Sequence, residues 1–165
     1  MSKNPITILG INPGTKYMAI AIFRETELRE WFIKIFKGKW SKEKRHAILA
    51  TVARFVNRYQ VDALAIKRLH PSRSSGNLDS LVSGIKHEMS TRGLDVHEYS
   101  ITQMERSFST GGKRNKKKMA EQVVSVYSVL FNEFEKEKHH KNPYWARLFE
   151  AVALGSICHD ELDKA

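Results

Sequence analysis

The feature that most constrains the fold is a pair of apolar, strand-like segments near the start of the chain. Residues 6–11 read ITILGI, a nearly continuous apolar run that is typical of a strand covered on both faces. Asn12-Pro13-Gly14 then predicts a turn, and Tyr17–Arg24 predicts a second strand. Because such strands need helices on both sides of their sheet, we predict a layered α/β protein.

The remaining segments complete this arrangement. Residues 29–36 alternate apolar and polar side chains, as a strand with one wetter face does. Later spacings predict helices over residues 41–59, 78–92, 119–138 and 144–162, and strands over 63–66 and 94–99. The order βββαβαβαα predicts a mixed five-stranded sheet flanked by helices. No repeat or linker divides the chain, so we predict a single domain over residues 1–165.

Charge and composition narrow the class of partner. The chain has 28 lysines and arginines against 18 acidic residues, a formal net charge of +10. Such a charge favours polyanions, with nucleic acid ahead of an anionic membrane. No apolar run reaches the roughly 20 residues of a spanning helix, and no signal-peptide layout precedes the first strand. The single cysteine, Cys158, excludes an internal disulfide, and its apolar helical setting predicts a buried thiol. We therefore predict a cytoplasmic protein with no membrane partner.

Four segments, in order along the chain, resemble one known family. They read ILGINPGTKYMAIAIF, VDALAIKRLH, NKKKMAEQVVSVYSVL and FEAVALG. These segments are similar to the opening strand, fourth strand, third helix and closing helix of the RuvC-type Holliday-junction resolvases, within the RNase H-like superfamily. The resemblance covers most of the chain, and the family's strand order is the one predicted above. It implies DNA binding in recombination and a nuclease that uses Mg²⁺ or Mn²⁺.

The resemblance also implies four carboxylates, which such enzymes need to hold two closely spaced divalent cations. It places these positions at Asn12, Lys67, Arg147 and Glu150, of which only Glu150 is acidic. Two cations, one anion and one neutral amide carry a net charge of +1, where four carboxylates would carry −4. A site of that sign is expected to repel metal, so we expect no cofactor and predict that cleavage has been lost.

Three interpretations of these positions stay open. In the first, they form an internal polar cluster, in which Glu150 bridges Lys67 and Arg147 while Asn12 bonds the strand ends. In the second, Lys67 and Arg147 grip a phosphate in a vestigial cleft. In the third, replacement ligands keep a metal nuclease working. The acids that lie outside the motif positions and would be candidates for such ligands are Asp62, Asp79 and Glu98.

Two basic segments are candidates for contacts with nucleic acid. The segment GGKRNKKK supplies Lys113, Arg114, Lys116, Lys117 and Lys118. The segment KRLHPSRSSGN adds Arg68, His70 and Arg73 beside several serines, a mixture that suits phosphate contacts. The alternative for the first segment is a solvated, mobile charge run, and the alternative for the second is an ordinary serine-rich loop. Trp40 follows Lys37-Gly38-Lys39 in the sequence. We interpret it as a core side chain, with stacking on an exposed base as the alternative.

Together these observations predict a RuvC-like protein that binds nucleic acid, with DNA and its branched forms as the expected partner, and that no longer cleaves it. An active Holliday-junction endonuclease with non-standard ligands is the first alternative. A protein-interaction scaffold with an incidental basic surface is the second. RuvC-type enzymes are dimers that cut paired strands, so the resemblance leaves a homodimer through the helix at 78–92 open.

Overall fold

The computed structural model describes residues 5–71, 75–109, 111–112, 115–137 and 144–164, without the side chains of residues 137 and 144–146. Within these ranges, five strands alternate with helices. The elements are β1 (Thr7–Asn12), β2 (Tyr17–Arg24), β3 (Glu27–Ile35), α1 (Lys42–Tyr59), β4 (Ala63–Lys67), α2 (Gly76–Thr91), β5 (Asp95–Tyr99), α3 (Ile101–Ser107), α4 (Lys116–Val126), a 3₁₀ turn (Ser128–Leu130), α5 (Phe131–Glu137) and α6 (Tyr144–Lys164).

The strands form one mixed sheet with the order β3-β2-β1-β4-β5. β1 pairs antiparallel with β2, and β2 pairs antiparallel with β3. β1 also pairs parallel with β4, and β4 pairs parallel with β5. The predicted α/β fold with a mixed five-stranded sheet is therefore confirmed. One edge of the sheet, which we call the carboxyl edge, carries the ends of β1, β3, β4 and β5 and the start of β2.

The central strand β1 separates two apolar cores. Ile8 packs into the core on the α4 and α6 side, whereas Leu9 and Ile11 pack into the core on the α1 and α2 side. All three side chains are fully buried. The continuous apolar run at residues 6–11 thus has the cause inferred from the sequence, since both faces of β1 are covered. Trp40 packs against the α1–α2 core, as a core side chain would.

Helix α6 approaches β1 so closely that two glycines are required. A Cβ atom at Gly10 would overlap the carbonyl oxygen of Ala151, and a Cβ atom at Gly155 would overlap the ring of Phe23. The missing side chains let the α6 backbone lie directly on the sheet. This contact fixes the position of Glu150, the residue before Ala151, relative to the end of β1.

The structure corrects the prediction of one long helix over residues 119–138. Helix α4 begins three residues earlier, at Lys116, and ends at Val126, where Tyr127 takes a non-helical conformation. The Tyr127 hydroxyl lies 2.9 Å from Ser156 Oγ on α6, and its ring packs edge-on against Phe23. These contacts hold Tyr127 out of the helical register, so a 3₁₀ turn and α5 follow as separate elements.

Helix α3 was not predicted from the sequence. It is short, and a capping box defines its start: the Ser100 side chain accepts from Gln103 N at 3.1 Å, and Ser100 N donates to Gln103 Oε1 at 2.7 Å. β3 also begins two residues earlier than predicted. Across the part of the chain that the structure describes, the helices are too short or too polar to cross a bilayer.

Replacing Gly10 with alanine is expected to lower the free energy of unfolding by about 1 to 3 kcal/mol, because α6 or β1 has to shift to relieve the overlap with Ala151. The measurement is the urea midpoint and slope of the variant against the unmodified protein. Gly76→Ala is the matched control, since Gly76 is the first residue of α2 and nothing lies within 4 Å of its would-be Cβ. Its change is expected to stay within about 1 kcal/mol and to be stabilising. Equal effects at the two sites would contradict the role assigned to Gly10.

Candidate nucleic-acid interface

Asn12 and Lys67 end two neighbouring parallel strands at the carboxyl edge. Asn12 is the last residue of β1, Lys67 is the last residue of β4, and the residues before them, Ile11 and Ile66, are paired in register. Parallel strands bring their carboxyl ends to the same side, so the two side chains lie next to each other. α6, held against Gly10, adds Glu150 to this pair.

The carboxylate of Glu150 is the centre of the cluster. Asn12 Nδ2 donates to Glu150 Oε2 at 2.5 Å, and Lys67 Nζ donates to the same oxygen at 2.9 Å. Lys116 Nζ, from the first residue of α4, lies 3.5 Å from Oε1. The Glu150 side chain is only 2% exposed, whereas Lys67 is 22% and Lys116 is 46% exposed. A buried carboxylate is costly unless it is paired, and here two ammonium groups and an amide compensate it.

Arg147 lies close to this cluster but does not have the partner that the sequence suggested. Its Nη1 donates to the carbonyl oxygen of Tyr17 at 3.4 Å, and its own carbonyl accepts from Asn12 Nδ2 at 3.4 Å. In the described residues, the partners of the Glu150 carboxylate are Asn12, Lys67 and Lys116. The predicted Glu150–Arg147 bridge is therefore wrong.

The turn after β1 explains why Arg147 does not pair with Glu150. Gly14 has no side chain, and a Cβ atom there would lie 2.7 Å from Arg147 Nη1. This space lets the guanidinium reach across the turn to Tyr17, whose ring centroid is 6.0 Å from Arg147 Cζ. Lys116 takes the place beside Glu150 that Arg147 was expected to fill.

The residues that the resemblance places at the metal-binding positions do not fit a two-metal centre. They supply one carboxylate, and ammonium groups already lie beside both of its oxygens. No group of three or more histidine, cysteine, aspartate or glutamate side chains is placed to hold a metal ion within the described ranges. Divalent cations bound for catalysis need several anionic oxygens, and this cluster presents cations instead.

The acids outside the motif positions do not supply the missing carboxylate ligands for a metal. Asp62 bonds the backbone of Thr7 through Oδ2 at 2.8 Å, at the opposite end of the sheet. Glu98 forms ion pairs with Lys86 and Arg68. Asp79 is exposed in the first turn of α2. Replacement ligands at these positions would require them to leave their present partners or to cross the sheet.

The basic residues predicted to bind nucleic acid are only partly within the described ranges. Lys116, Lys117 and Lys118 form the exposed first turn of α4, which Asn115 caps by accepting from Lys118 N at 2.8 Å. Arg68 and His70 are exposed after the end of β4, and Arg68 pairs loosely with Glu98 at 3.8 Å. The remaining three predicted residues, Lys113, Arg114 and Arg73, lie outside the described residues. The structure thus brings Lys116 to Lys67 and places its neighbours along the same edge.

Cys158 takes no part in this chemistry. Its side chain is fully buried in α6, as the sequence predicted. Burial is the main reason that the pKa of Cys158 is raised to about 11, so the group remains a thiol at neutral pH. A nucleophilic role for this residue is therefore not supported.

A double-mutant cycle on Lys67 and Glu150 is expected to give a coupling free energy of about 1 to 3 kcal/mol. Lys67→Met leaves a buried carboxylate with less compensation, so it destabilises the protein on its own, and it does so much less when Glu150→Gln is also present. The measurement is urea unfolding of the single and double variants. The exposed pair Arg92–Glu88 is the control cycle, and its coupling is expected to be about 0.3 to 0.5 kcal/mol. Similar couplings for the two pairs would show that the buried cluster is not a special contact.

Comparison of the sequence with known protein families gives a match to one family. The sequence profile of the family described as crossover junction endodeoxyribonuclease RuvC matches residues 8–141. That range contains Asn12, Lys67 and Lys116 and ends before Glu150. Comparison with curated protein sequences gives no match.

Solved structures show the same fold. RuvC from Thermus thermophilus, solved in complex with a Holliday junction substrate, superposes with a TM-score of 0.73 at 16% identity, covering 96% of each chain. The same enzyme solved separately gives a TM-score of 0.73 at 16% identity, covering 96% of this chain and 97% of that one. Fowlpox virus resolvase, solved with its substrate Holliday junction DNA, gives 0.55 at 19% identity over 95% and 99% of the two chains. On its sequence match and its fold, the chain belongs to the RuvC family.

Proposed function

We propose that this protein binds DNA, preferentially in branched form, at the carboxyl edge of its sheet, and that it has lost metal-dependent cleavage. The observation that carries the proposal is the pairing of Glu150 with Lys67 and Lys116. One acid remains at the family's four carboxylate positions, and the chain's own cations already neutralise it. What is left over is positive charge, which attracts phosphate rather than metal.

The case for DNA binding begins with the unneutralised charge at this edge. Glu150 offsets one of the two ammonium groups beside it, and Lys117 and Lys118 add two more exposed positive charges in the same turn of α4 as Lys116. Three cations in one helix start oppose the helix dipole, so they need an anionic partner to be favourable. Lysines in such positions neutralise backbone phosphates without reading sequence. The two similar structures that were solved with Holliday junction DNA support a branched substrate.

The case against cleavage is electrostatic. A divalent cation about 4 Å from one ammonium group is repelled by roughly 8 kcal/mol at an effective dielectric constant of about 20. Lys67 lies 2.9 Å from the oxygen that such a cation would need, and Lys116 approaches the other oxygen. A single carboxylate does not supply enough opposing attraction. Without metal, the cluster has neither an activated water nor a Lewis acid to offer a phosphodiester.

Lys117→Ala and Lys118→Ala are each expected to weaken duplex and junction DNA binding and to flatten its salt dependence. Loss of one phosphate contact reduces the slope of log affinity against log salt by about 0.9, so the double variant is expected to lose about 1.8. Fluorescence anisotropy titrations over a series of salt concentrations measure this slope. These two residues are chosen because Lys116 also holds Glu150.

Lys164→Ala is the control for this measurement. Lys164 is exposed at the far end of α6, roughly 21 Å along the helix axis from Glu150. Like each single lysine variant, Lys164→Ala removes one positive charge, but it does so at the opposite end of the sheet. It is expected to leave the slope nearly unchanged. If all of the variants gave the same slope as the unmodified protein, the first turn of α4 would be only a solvated face and the scaffold alternative would gain.

The unmodified protein is expected neither to bind Mn²⁺ measurably in calorimetry nor to cut a four-way junction in Mg²⁺ or Mn²⁺. Restoring the acids with Asn12→Asp, Lys67→Glu and Arg147→Asp places four carboxylates at the family positions, and Mn²⁺ binding is expected to appear. Activity need not return, because catalysis also requires placement within about half an ångström. The triple variant is also expected to be less stable in chelator and to recover with added metal.

Glu150→Gln in the restored background is the matched control, and it is expected to reduce Mn²⁺ binding. The same substitution in the unmodified protein decides the main question. Junction cutting by the unmodified protein that disappears on Glu150→Gln would overturn the loss of cleavage and establish the endonuclease alternative.

A further inference from the structure

A second group of lysines lies on the same edge of the sheet, outside the cluster around Glu150. We call Lys16, Lys37, Lys39 and Lys42 the rim cluster, and we call Lys67, Lys116, Lys117 and Lys118 the cleft cluster. Residues 34–44 contain five lysines and one acidic residue, Glu43. All four side chains of the rim cluster are exposed.

The sheet topology places the rim cluster beside the cleft cluster. β3 ends at Ile35, which pairs with Tyr17 at the start of β2, and Phe36 N donates to the carbonyl oxygen of Lys16 at 2.8 Å. The end of β3 and the turn between β1 and β2 therefore lie at the carboxyl edge, beside Asn12. β3 and β4 are separated by three strand spacings, or roughly 14 Å.

The backbone that carries the rim lysines is held in place. Lys44 Nζ donates to the carbonyl oxygen of Gly38 at 2.7 Å, and Gly38 adopts a positive φ of 93° that closes the loop. Trp40 packs against the α1–α2 core, and Ser41 caps α1. A loop fixed in this way loses less conformational entropy when a ligand binds.

The charges of the rim cluster are uncompensated. In the described part of the chain, the ion pairs engage other residues and leave Lys16, Lys37, Lys39 and Lys42 without an acidic partner. Lys67, Lys86, Arg68 and Arg92, in contrast, all have one. Holding unpaired like charges together costs free energy through repulsion, and a polyanion relieves that cost.

We propose that the rim cluster is a second phosphate-binding surface, and that one DNA duplex lies across the carboxyl edge with one strand on each cluster. This inference rests on the proposed function, because it needs the cleft cluster to bind DNA. The separation supports a single duplex: the end of β3, which Lys37 follows, and the end of β4, which is Lys67, are roughly 14 Å apart, and the two phosphate rows that border a major groove are about 12 Å apart.

The test is the salt dependence of binding to a short duplex. The triple variant Lys16→Ala, Lys37→Ala and Lys39→Ala is expected to flatten the slope by up to about 2.7, which is three phosphate contacts' worth. When this triple variant is combined with Lys117→Ala and Lys118→Ala, the changes in slope caused by the rim and cleft substitutions are expected to add. The control triple, Arg24→Ala, Arg29→Ala and Lys164→Ala, removes the same charge at the opposite end of the sheet and is expected to change the slope by less than about 0.5.

A duplex in which one strand carries uncharged methylphosphonates tests the two-strand geometry. Only one cluster can then find phosphates, so the effects of the cleft and rim variants are expected not to add. Additive effects on this duplex would overturn the placement of one strand on each cluster. A rim triple that matches the control triple while the cleft variants still flatten the slope would overturn the rim surface and leave the proposed function standing. No effect of any variant would instead remove the proposed function itself.

Discussion

The rest of the site depends on the backbone contact between α6 and β1. Because Gly10 and Gly155 lack side chains, α6 lies on the central strand and delivers Glu150 to the end of β1. At that depth, the carboxylate is out of reach of bulk water, and its charge has to be compensated by the protein. Lys67 and Lys116 provide that compensation from two other elements, so a single packing contact ties β1, β4, α4 and α6 together at the carboxyl edge.

Most of the fold was accessible from local patterns, because burial on both faces leaves a clear mark on a strand such as β1. The elements that were missed depend on less regular signals. The capping box at Ser100 and Gln103 is visible in the sequence, but α3 is too short to show a helical apolar stripe. The break at Tyr127 depends on its contacts with Phe23 and Ser156, which are distant in the chain, while the local pattern continues as a helix.

The site shows the same division between local and distant information. The convergence of Asn12, Lys67 and Glu150 follows from the parallel pairing of β1 with β4 and from the family positions, so it could be anticipated. The second cationic partner of Glu150, Lys116, could not be anticipated. Spacing along α6 suggested Arg147, but the room left by Gly14 draws that side chain towards Tyr17. Lys116 replaces it because α4 packs against α6, a contact that no short stretch of sequence encodes.

The compensated carboxylate has a consequence for how such a protein can change over generations. Asn12→Asp alone would lose the amide that donates to Glu150 and add an acid that the neighbouring ammonium groups offset, whereas Lys67→Glu alone would set two carboxylates side by side with only Lys116 to offset them. Neither intermediate gains a metal site, and the second loses stability. Each of these two single substitutions is therefore neutral or harmful, so a set of four carboxylates would need several substitutions together. The lysines beside Glu150 therefore oppose single substitutions that lead towards a set of four carboxylates.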